Sequence, residues 1–340
     1  MPKSAPTDWG GITAIAISMK TNETKTTRYK RFQRLPASAL PPFELTTRDR
    51  YVLSLLFDYG MLDTTQLVKL LSIRYPEQTE TEGTKPKGNI NRFLNRLNLM
   101  FHYRYIERPR KQYNYEKTRP DVIVMMGDRA AKELYPELKR RPGYYRDKSE
   151  NYTTLHIKHE MELNDFRVAL LLALNKHPTA ELKFWKKGKD TEDYVTFFDP
   201  KRKKNIRRKV QPDGLFVLGD TGSDLPFALE IDRSSMTHDR IRQKALVYRA
   251  WKESGQFQEK FGYKGFRALF VATESKERAE NLRHTIGKAD TSPHNRLFLF
   301  SDASYYSINN PVPLLESIWM LAKGGAQNSE SVNDFHHLLE

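Results

Sequence analysis

The sequence predicts a two-domain protein in which a helix-rich N-terminal domain precedes a mixed domain of the α+β or α/β class. Apolar residues recur at helical spacing through much of residues 43–140, whereas residues 155–310 mix short strand-like apolar runs with helical segments. Between the two, residues 141–154 are polar and contain proline and glycine, which is typical of a linker. A chain of 340 residues is long enough for two domains of ordinary size.

Residues 1–42 are predicted to form a basic, flexible tail, because the stretch is polar and ends in prolines. Two interpretations stay open. The cations either form an arm that lies along the phosphates of a nucleic acid, or they only make a solubilising end. The cations concerned are Lys25, Arg28, Lys30, Arg31 and Arg34.

Residues 43–140 are predicted to hold three helices, two strands and a closing helix. The first helix begins at a cap, Thr46 or Thr47, and ends at Gly60. The second helix covers "LDTTQLVKLL" and the third covers "NINRFLNRLNLM". Two strand-like segments then flank a basic, tyrosine-rich turn, and a helix over "DRAAKELYPEL" closes the domain.

This order of elements is that of a winged helix-turn-helix, a DNA-binding unit. The third helix has the composition of a recognition helix, because Asn and Arg side chains both read base edges and hold phosphates. Arg92, Asn95 and Arg96 are therefore the candidate nucleic-acid contacts. The alternative is a plain amphipathic helix with a polar exposed face. The 17-residue connector "SIRYPEQTETEGTKPKG" before this helix is long for a winged helix.

Residues 155–310 are predicted to begin with a helix, about residues 155–176, followed by a series of strands. The strands are "AELKFWK", the hairpin "DYVTFF" and "IRRKVQP", and the pair "DGLFVLG" and "PFALEID" joined by the turn in "GDTGSDLP". Helices over about 237–253 and 276–285 then alternate with the strands "FRALFVAT" and "RLFLF". Residues 311–340 are expected to hold a C-terminal helix and a loose tail.

Three carboxylates fall near the ends of the two adjacent strands of the second pair. Asp213 heads one strand, and Glu230 lies near the end of the next. Asp232 shares a strand face with Glu230, because residues two apart in a strand point to the same side. Carboxylates that converge at a strand edge suit Mg²⁺ or Mn²⁺, which prefer hard oxygen ligands. We therefore expect a metal site there, with Asp232 as a third ligand or as a supporting residue.

A basic hairpin directly precedes Asp213. The segment "KRKKNIRRK" has seven cations in nine residues and is expected to hold backbone phosphates beside the acidic pair. A solvated loop is the alternative. The cations are Lys201, Arg202, Lys203, Lys204, Arg207, Arg208 and Lys209.

The composition agrees with a nucleic-acid partner. The formal net charge is +15, and a strongly basic protein most often meets a polyanion. The lack of cysteine excludes a disulfide scaffold and Cys-ligated zinc, and it fits the reducing cytoplasm, where we expect the protein to work. No apolar run approaches the roughly 18 residues that a membrane span needs, so no membrane association is expected.

The residues also resemble a known family. "PD", sixteen residues and "E-x-D" on adjacent strands, with a helix on either side, resemble the PD-(D/E)xK nuclease superfamily and its restriction-endonuclease-like fold. Residues 43–300 resemble the replication-relaxation family of plasmid and mobile-element proteins, and they are similar to conjugative relaxases built on that nuclease fold. The segments that carry the likeness are "LTTRDRYVLSLLFDYG", "HEMELNDFRVAL", "QPDGLFVL", and "LEIDRSS" followed by "KALVY".

The resemblance implies metal ligation by Asp213 and Glu230 and a functional role for His159. The superfamily pattern places a lysine two residues after the glutamate, where this chain has Asp232. Lys244, on the following helix, is the candidate for the missing cation. Arg233 is a second candidate, although its strand parity points it away from Glu230.

Two functions follow from this reasoning. The first is a metal-dependent DNA endonuclease or nickase of plasmid or mobile-element replication or transfer, acting on double-stranded DNA. The second is a non-catalytic replication or transcription regulator, with a degenerate nuclease fold that serves packing or dimerisation. A homodimer is compatible with both.

Overall fold

The computed structural model of the chain describes residues 32–76, 87–114, 121–234, 236–289, 296–322 and 335–339. It is a mixed α/β structure that divides into two compact units. The first unit takes in residues up to 64 and residues 87–154; the second takes in the segment from 65 and everything from 155 onward. Residues 65–76 thus group with the second unit, although their sequence pattern placed them within 43–140.

The helices of the first unit begin and end close to where the sequence predicts. Helix α1 has Thr46 as its N-cap, and the side chains of Thr46 and Asp49 bond each other's backbone N–H in a capping box. Gly60 ends this helix with a positive φ of 83°, a conformation that favours glycine. The elements up to residue 151, in chain order, are α1 (Thr47–Tyr59), β1 (Met61–Asp63), α2 (Thr64–Arg74), α3 (Lys87–His102), β2 (Ile106–Glu107), β3 (Ile123–Met126), α4 (Asp128–Leu134) and α5 (Tyr144–Asn151). Of these, α2 from residue 65 onward belongs to the second unit and the others to the first.

A three-stranded antiparallel sheet, in the order β1-β3-β2, supports this unit. Met61 is opposite Met125, and Ile106 is opposite Met126. All three strands are buried, and the first helix, whose buried residues include Leu53, packs on β3. Besides the two predicted strands, β2 and β3, the sheet contains a third strand, β1, which precedes the second helix in the chain.

Helix α5 occupies most of the predicted linker over residues 141–154, and these residues group with the first unit. Tyr145 is buried, and its backbone N–H donates to Oδ1 of Asp128 at 2.9 Å. Polar composition suggested a loop, but one buried tyrosine and one tertiary hydrogen bond are enough to hold a short helix against its own unit.

The second unit contains a seven-stranded sheet in the order β12-β11-β10-β9-β8-β7-β4. Strands β8, β9 and β10 are parallel, and β4, β7 and β8 are antiparallel. Its remaining elements are α6 (Thr154–Leu174), β4 (Glu181–Lys186), β5 (Asp193–Asp199), β6 (Lys204–Val210), β7 (Gly214–Asp220), β8 (Ser223–Asp232), α7 (His238–Glu253), α8 (Gln256–Phe261), β9 (Arg267–Ala272), α9 (Lys276–Ala289), β10 (Phe298–Asp302), β11 (Trp319–Leu321) and β12 (Phe335–His336).

Helices cover both faces of this sheet. On one face, the ring of Phe166 in α6 contacts that of Phe216 in β7, with centroids 5.9 Å apart. On the other face, α7 and α9 pack against one buried cluster that includes Leu215, Ala228 and Phe270. Glu230 and Asp232 follow Ala228 at even spacing in β8, so they belong to the α7/α9 face.

Strands β5 and β6 form a separate two-stranded ribbon, as the predicted hairpin requires. A lone ribbon has little stability in water, so it depends on packing. Val195 and Val210 are buried against α7, which closes one side of the ribbon.

The C-terminal helix expected within 311–340 does not appear among the residues described there. A 3₁₀ turn, Val312–Leu315, leads instead to strand β11, which pairs with β10, and β12 pairs with β11. Within the described part of the chain, none of the helices has the length and apolar character to cross a membrane.

Candidate active site

The β7–β8 hairpin places Asp213 beside the strand that carries Glu230. Gly214 pairs with Leu229, and the backbone N–H of Asp213 donates to the carbonyl of Leu229 at 3.0 Å. Oδ2 of Asp213 accepts a hydrogen bond of 2.9 Å from the N–H of Ile231, the residue after Glu230. The carboxylate of Asp213 is therefore held against the backbone of β8 at the level of Glu230.

Gly214 has a packing reason to follow Asp213. A Cβ atom at this position would lie 2.6 Å from the ring of Trp185 in β4. Because real carbon atoms do not approach that closely, any larger residue would push β7 away from β4. The glycine thus keeps the start of β7, and with it Asp213, close to the sheet.

Glu230 is almost completely buried and has two side-chain donors from α7. The ammonium of Lys244 bonds Oε2, and the hydroxyl of Tyr248, one turn further along the helix, bonds Oε1. The side chain of Glu230 is 2% exposed and that of Lys244 is 34% exposed. Lys244, predicted as the relocated cation, therefore reaches the glutamate from the helix that packs over the sheet.

His159 approaches the other carboxylate. From the first turns of α6, its Nε2 lies 3.1 Å from Oδ2 of Asp213. Both side chains are partly exposed, at 29% for His159 and 23% for Asp213. The acidic pair is therefore sealed at Glu230 and open to solvent on the side of Asp213.

The four charged groups shift one another's pKa values. Burial and the nearby charge of Asp213 raise the pKa of Glu230 to about 7, against the opposing effects of Lys244 and of the hydrogen bond from Tyr248. Burial also acts to raise the pKa of Asp213, but the hydrogen bond from His159 and the charge of Lys244 outweigh it, so the net shift is downward. The bond to Asp213 raises the pKa of His159. Burial acts to lower the pKa of Lys244, but the charges of Glu230 and Asp213 outweigh it and raise the value.

Asp232 does not join this cluster. Its carboxylate accepts two hydrogen bonds from the guanidinium of Arg278 in α9, at 2.6 and 3.1 Å, and one from the N–H of Ser234. The side chain is completely buried. The expectation of a third metal ligand is therefore not supported, because Arg278 neutralises Asp232 and fastens β8 to α9.

Arg233 points to the opposite side, as its strand parity predicts. Its Nε lies 2.9 Å from Oε2 of Glu162, and its Nη1 donates to the carbonyl of Leu155, both on α6. This leaves Lys244 as the cation at Glu230.

The carboxylate oxygens of Asp213 and Glu230 can be compared with the ligands that a divalent cation needs. Among the residues that the structure describes, no group of three His, Asp or Glu side chains is arranged to hold a metal. Asp213 nevertheless has one oxygen, Oδ1, with no hydrogen bond from the described part of the chain, whereas both oxygens of Glu230 already accept one. The carboxylates fit a hard cation with several water ligands, provided that Lys244 releases Oε2 of Glu230.

The predicted basic hairpin is the turn between β5 and β6 together with β6. Lys201 pairs with Asp239 at 3.0 Å, Arg202 lies 3.7 Å from Asp199, and Lys209 lies 3.3 Å from Glu192. The other four cations, Lys203, Lys204, Arg207 and Arg208, are exposed and have no carboxylate partner among the described residues.

The three residues predicted on helix α3 separate into two kinds. Arg92 and Asn95 are exposed. Arg96 instead bonds Oδ2 of Asp49 at 2.7 and 2.9 Å, and its guanidinium lies 4.1 Å from the ring centre of Phe43. Arg96 therefore serves the packing of the first unit, whereas Arg92 and Asn95 remain available for a ligand.

The tail cations Lys25, Arg28, Lys30 and Arg31 lie outside the described residues. Arg34 is described, and it is not part of a free arm. Its guanidinium lies 2.7 Å from Oε1 of Glu107 and over the ring of Phe101.

Sequence reasoning missed two buried ion pairs, Asp232 with Arg278 and Asp199 with Arg242. Nη1 of Arg242 lies 3.1 Å from Oδ1 of the completely buried Asp199, at the end of β5. The partners are more than 40 residues apart in both cases, so no local pattern announces them. The one usable signal was the buried carboxylate itself, which requires a counter-charge.

The fold and the site together define a class: a mixed α/β protein with a paired-carboxylate site served by a lysine and a histidine from the flanking helices. The family model described as Replication-relaxation matches residues 53–265, and the chain belongs to that family. The family suggests a role in plasmid or mobile-element replication or transfer. Searches among curated proteins and among solved structures gave no significant match.

Proposed function

We propose that this protein binds double-stranded DNA of a plasmid or mobile element and cleaves its phosphodiester backbone, as an endonuclease or nickase, at the site of Asp213 and Glu230. The observation that carries the proposal is the meeting of the carboxylates of Asp213 and Glu230 with His159 and Lys244 at one edge of the sheet. The nuclease pattern has a lysine two residues after the glutamate, where this chain has Asp232. Lys244 on α7 brings an ammonium to the carboxylate of Glu230 instead.

Each residue has a role in this proposal. Asp213 and Glu230 would hold Mg²⁺ or Mn²⁺, which when bound activates a water molecule and stabilises charge on the phosphate. Lys244 is the ammonium that faces the non-bridging oxygens once it leaves Glu230. His159 orients Asp213 and keeps its own proton to higher pH than usual, because its pKa is raised. That proton is then available to the leaving oxygen.

The exposed cations support DNA binding. Lys203, Lys204, Arg207 and Arg208 lie within ten residues of Asp213 along the chain, and β6 leads directly into β7. Cations with no carboxylate partner are free to contact phosphates. Arg92 and Asn95 on α3 supply a second set of polar contacts. The chain order of helix, strand, two helices and two strands supports a winged helix around α3.

The second candidate is a DNA-binding regulator without nuclease activity. One observation favours it, namely that both oxygens of Glu230 are satisfied by Lys244 and Tyr248. An acidic group neutralised in this way is complete without a metal ion, as a residue of purely structural purpose would be.

A plasmid-relaxation assay separates the two functions. Supercoiled plasmid is incubated with the protein and Mg²⁺ or Mn²⁺, and in parallel with EDTA. The nuclease proposal expects conversion to open-circular or linear DNA only with metal, and it expects the variant Asp213→Asn with Glu230→Gln to lose this conversion while binding duplex DNA as before.

A matched control uses two acids at the far end of the same strands. The variant Asp220→Asn with Asp224→Asn alters β7 and β8 without touching the site, and it should cleave like the wild type. Cleavage that persists in the Asp213 and Glu230 variant would show that the site is elsewhere. Tight, salt-sensitive binding without any cleavage by the wild type would favour the regulator.

A further inference from the structure

The β5–β6 ribbon has an outward face that alternates aromatic and cationic side chains. In β5, Tyr194, Thr196 and Phe198 are exposed, whereas the residues between them are partly or fully buried. Tyr194 is 44% and Phe198 57% exposed, which is unusual for such large rings. We call the outward residues of both strands the aromatic face: Tyr194, Thr196 and Phe198 in β5, opposite Lys209, Arg207 and Asn205 in β6.

The opposite side of the ribbon is firmly anchored. Asp199 accepts hydrogen bonds from Arg242 and Gln243 at 3.1 and 2.7 Å, and the indole N–H of Trp251 donates to Asp193 at 2.8 Å. These contacts fix both ends of β5 to α7. The exposed rings therefore belong to a rigid surface, and their exposure is not the result of fraying.

The rings and the cations are close enough to act together. The guanidinium of Arg207 lies 4.9 Å from the ring centre of Tyr194, diagonally across the two strands. Phe198 lies four residues from Tyr194, a distance of about 13 Å along a strand. Lys203 and Lys204, at the turn that follows β5, also lack a carboxylate partner in the described part of the chain. Arg208 is across from the buried Val195 and therefore belongs to the other side of the ribbon.

Exposed aromatic rings beside cations favour one kind of polyanion over others. Cations bind the phosphates of any nucleic acid, but the flat faces of bases are hidden in a duplex and accessible in a single strand. Large exposed rings next to unneutralised cations match a strand whose bases are unpaired. An acidic peptide would satisfy the cations and would give the two rings no comparable partner.

We infer that the aromatic face of the β5–β6 ribbon binds single-stranded DNA, with bases stacked on Tyr194 and Phe198 and phosphates held by Arg207 and by Lys203 and Lys204 at the turn. This inference rests on the proposed function, because a protein that opens a duplex for nicking exposes a single strand, and that strand would bind this face. Single-stranded DNA is thus a second ligand, in addition to the double-stranded substrate.

Fluorescence anisotropy with a labelled single-stranded oligothymidylate, and with a duplex of equal length, tests the inference on the full chain. Replacing both rings by strand-compatible residues, Tyr194→Thr with Phe198→Thr, should weaken single-strand binding by at least about fivefold for each ring that no longer stacks on a base. The duplex affinity should stay within about twofold, because the cations remain.

Two matched variants control for loss of structure and for general stickiness. The exchange Tyr194→Phe with Phe198→Tyr keeps both rings and should keep single-strand affinity. Phe57→Thr removes a ring of equal exposure, 44%, from helix α1 and should leave oligothymidylate binding unchanged. Circular dichroism of each variant should match the wild type, since the replaced rings are exposed.

The salt dependence separates the phosphate contacts from the stacking contacts. Arg207→Gln with Lys203→Gln should reduce the slope of log affinity against log salt for a single strand by about 0.7 for each phosphate that the protein no longer neutralises. The ring variant should lower the affinity at every salt concentration and leave that slope unchanged.

Several results would overturn the inference. Equal loss of duplex and single-strand binding in the ring variant would mean that the rings support the ribbon or touch both forms. An unchanged single-strand affinity in that variant would exclude stacking at this face. Neither result bears on plasmid cleavage, which the variant of Asp213 and Glu230 tests separately. Failure of this inference and failure of the nuclease proposal are therefore distinguishable.

Discussion

Nε2 of His159 lies 3.1 Å from Oδ2 of Asp213, although the two residues are 54 positions apart and belong to a helix and a strand edge. The contact lowers the pKa of Asp213 against the effect of burial. We expect His159→Asn to reduce metal-dependent plasmid cleavage by about 10²–10⁴-fold, the usual contribution of a general acid or base.

Duplex affinity of the same variant, measured by anisotropy, should not change. His156→Asn, one turn earlier on α6, is the matched control and should cleave normally. Normal cleavage by His159→Asn would reduce His159 to a structural partner of Asp213.

Lys244 determines the charge state of Glu230. Without its ammonium, the buried carboxylate keeps only the hydroxyl of Tyr248, and the pKa of Glu230 should rise further from about 7. Lys244→Met should therefore abolish cleavage at neutral pH. The separate variant Lys244→Arg should also fail to cleave, because the guanidinium is larger and planar. Lys252→Met, two turns further along the same helix, should behave as the wild type in the plasmid assay.

Asp232 and Arg278 form a buried pair that we expect to stabilise the fold. Removing one partner leaves an uncompensated buried charge, so Arg278→Met should lower the free energy of unfolding by about 3–5 kcal/mol in urea titrations. Asp232→Asn should also destabilise the protein, yet cleave plasmid at permissive temperature. Loss of cleavage at unchanged stability would instead restore Asp232 as a metal ligand.

The contribution of Asp199 to anchoring the ribbon is expected to be lost at acid pH. Burial acts to raise the pKa of Asp199, but hydrogen bonds from Arg242, Gln243 and the N–H of Lys201 lower it from 3.8 to about 2. A carboxylate with a lowered pKa stabilises the folded state above 3.8, and this contribution is lost as the pH falls through the folded-state value.

Asp199→Asn should therefore reduce the free energy of unfolding most near neutral pH. The difference from the wild type should shrink as urea titrations are repeated below pH 3.8. A constant difference across this range would mean that the charge of Asp199 is not what holds β5 to α7.

Helix α3 offers a comparison between a binding residue and a packing residue. Arg92→Ala with Asn95→Ala should weaken duplex binding and leave stability unchanged, because both side chains are exposed. Arg96→Ala should lower the free energy of unfolding by about 1.5–3 kcal/mol, because it leaves the buried carboxylate of Asp49 without its charged donor. A loss of duplex affinity in the Arg96 variant alone would contradict this division.

Local patterns in the sequence were sufficient for most elements near the site. The hairpin "DYVTFF" to "IRRKVQP" and the hairpin that carries Asp213 and Glu230 are confirmed, as are the helix that begins at Thr46 or Thr47 and the helix over about 237–253. These features depend on residues within about 18 positions of one another, and hydrophobic period and turn chemistry act at that range.

The sequence by itself determined that two carboxylates meet on adjacent strands, that a basic hairpin precedes them, and that Lys244 follows on the next helix. Only the tertiary structure decided which cation each carboxylate received: Lys244 for Glu230, and Arg278 for Asp232. It also decided that Arg96 packs internally and that Tyr194 and Phe198 face outward. The reason is physical, since periodicity specifies the face of an element, but a charge partner depends on how helices distant in the chain pack across a sheet.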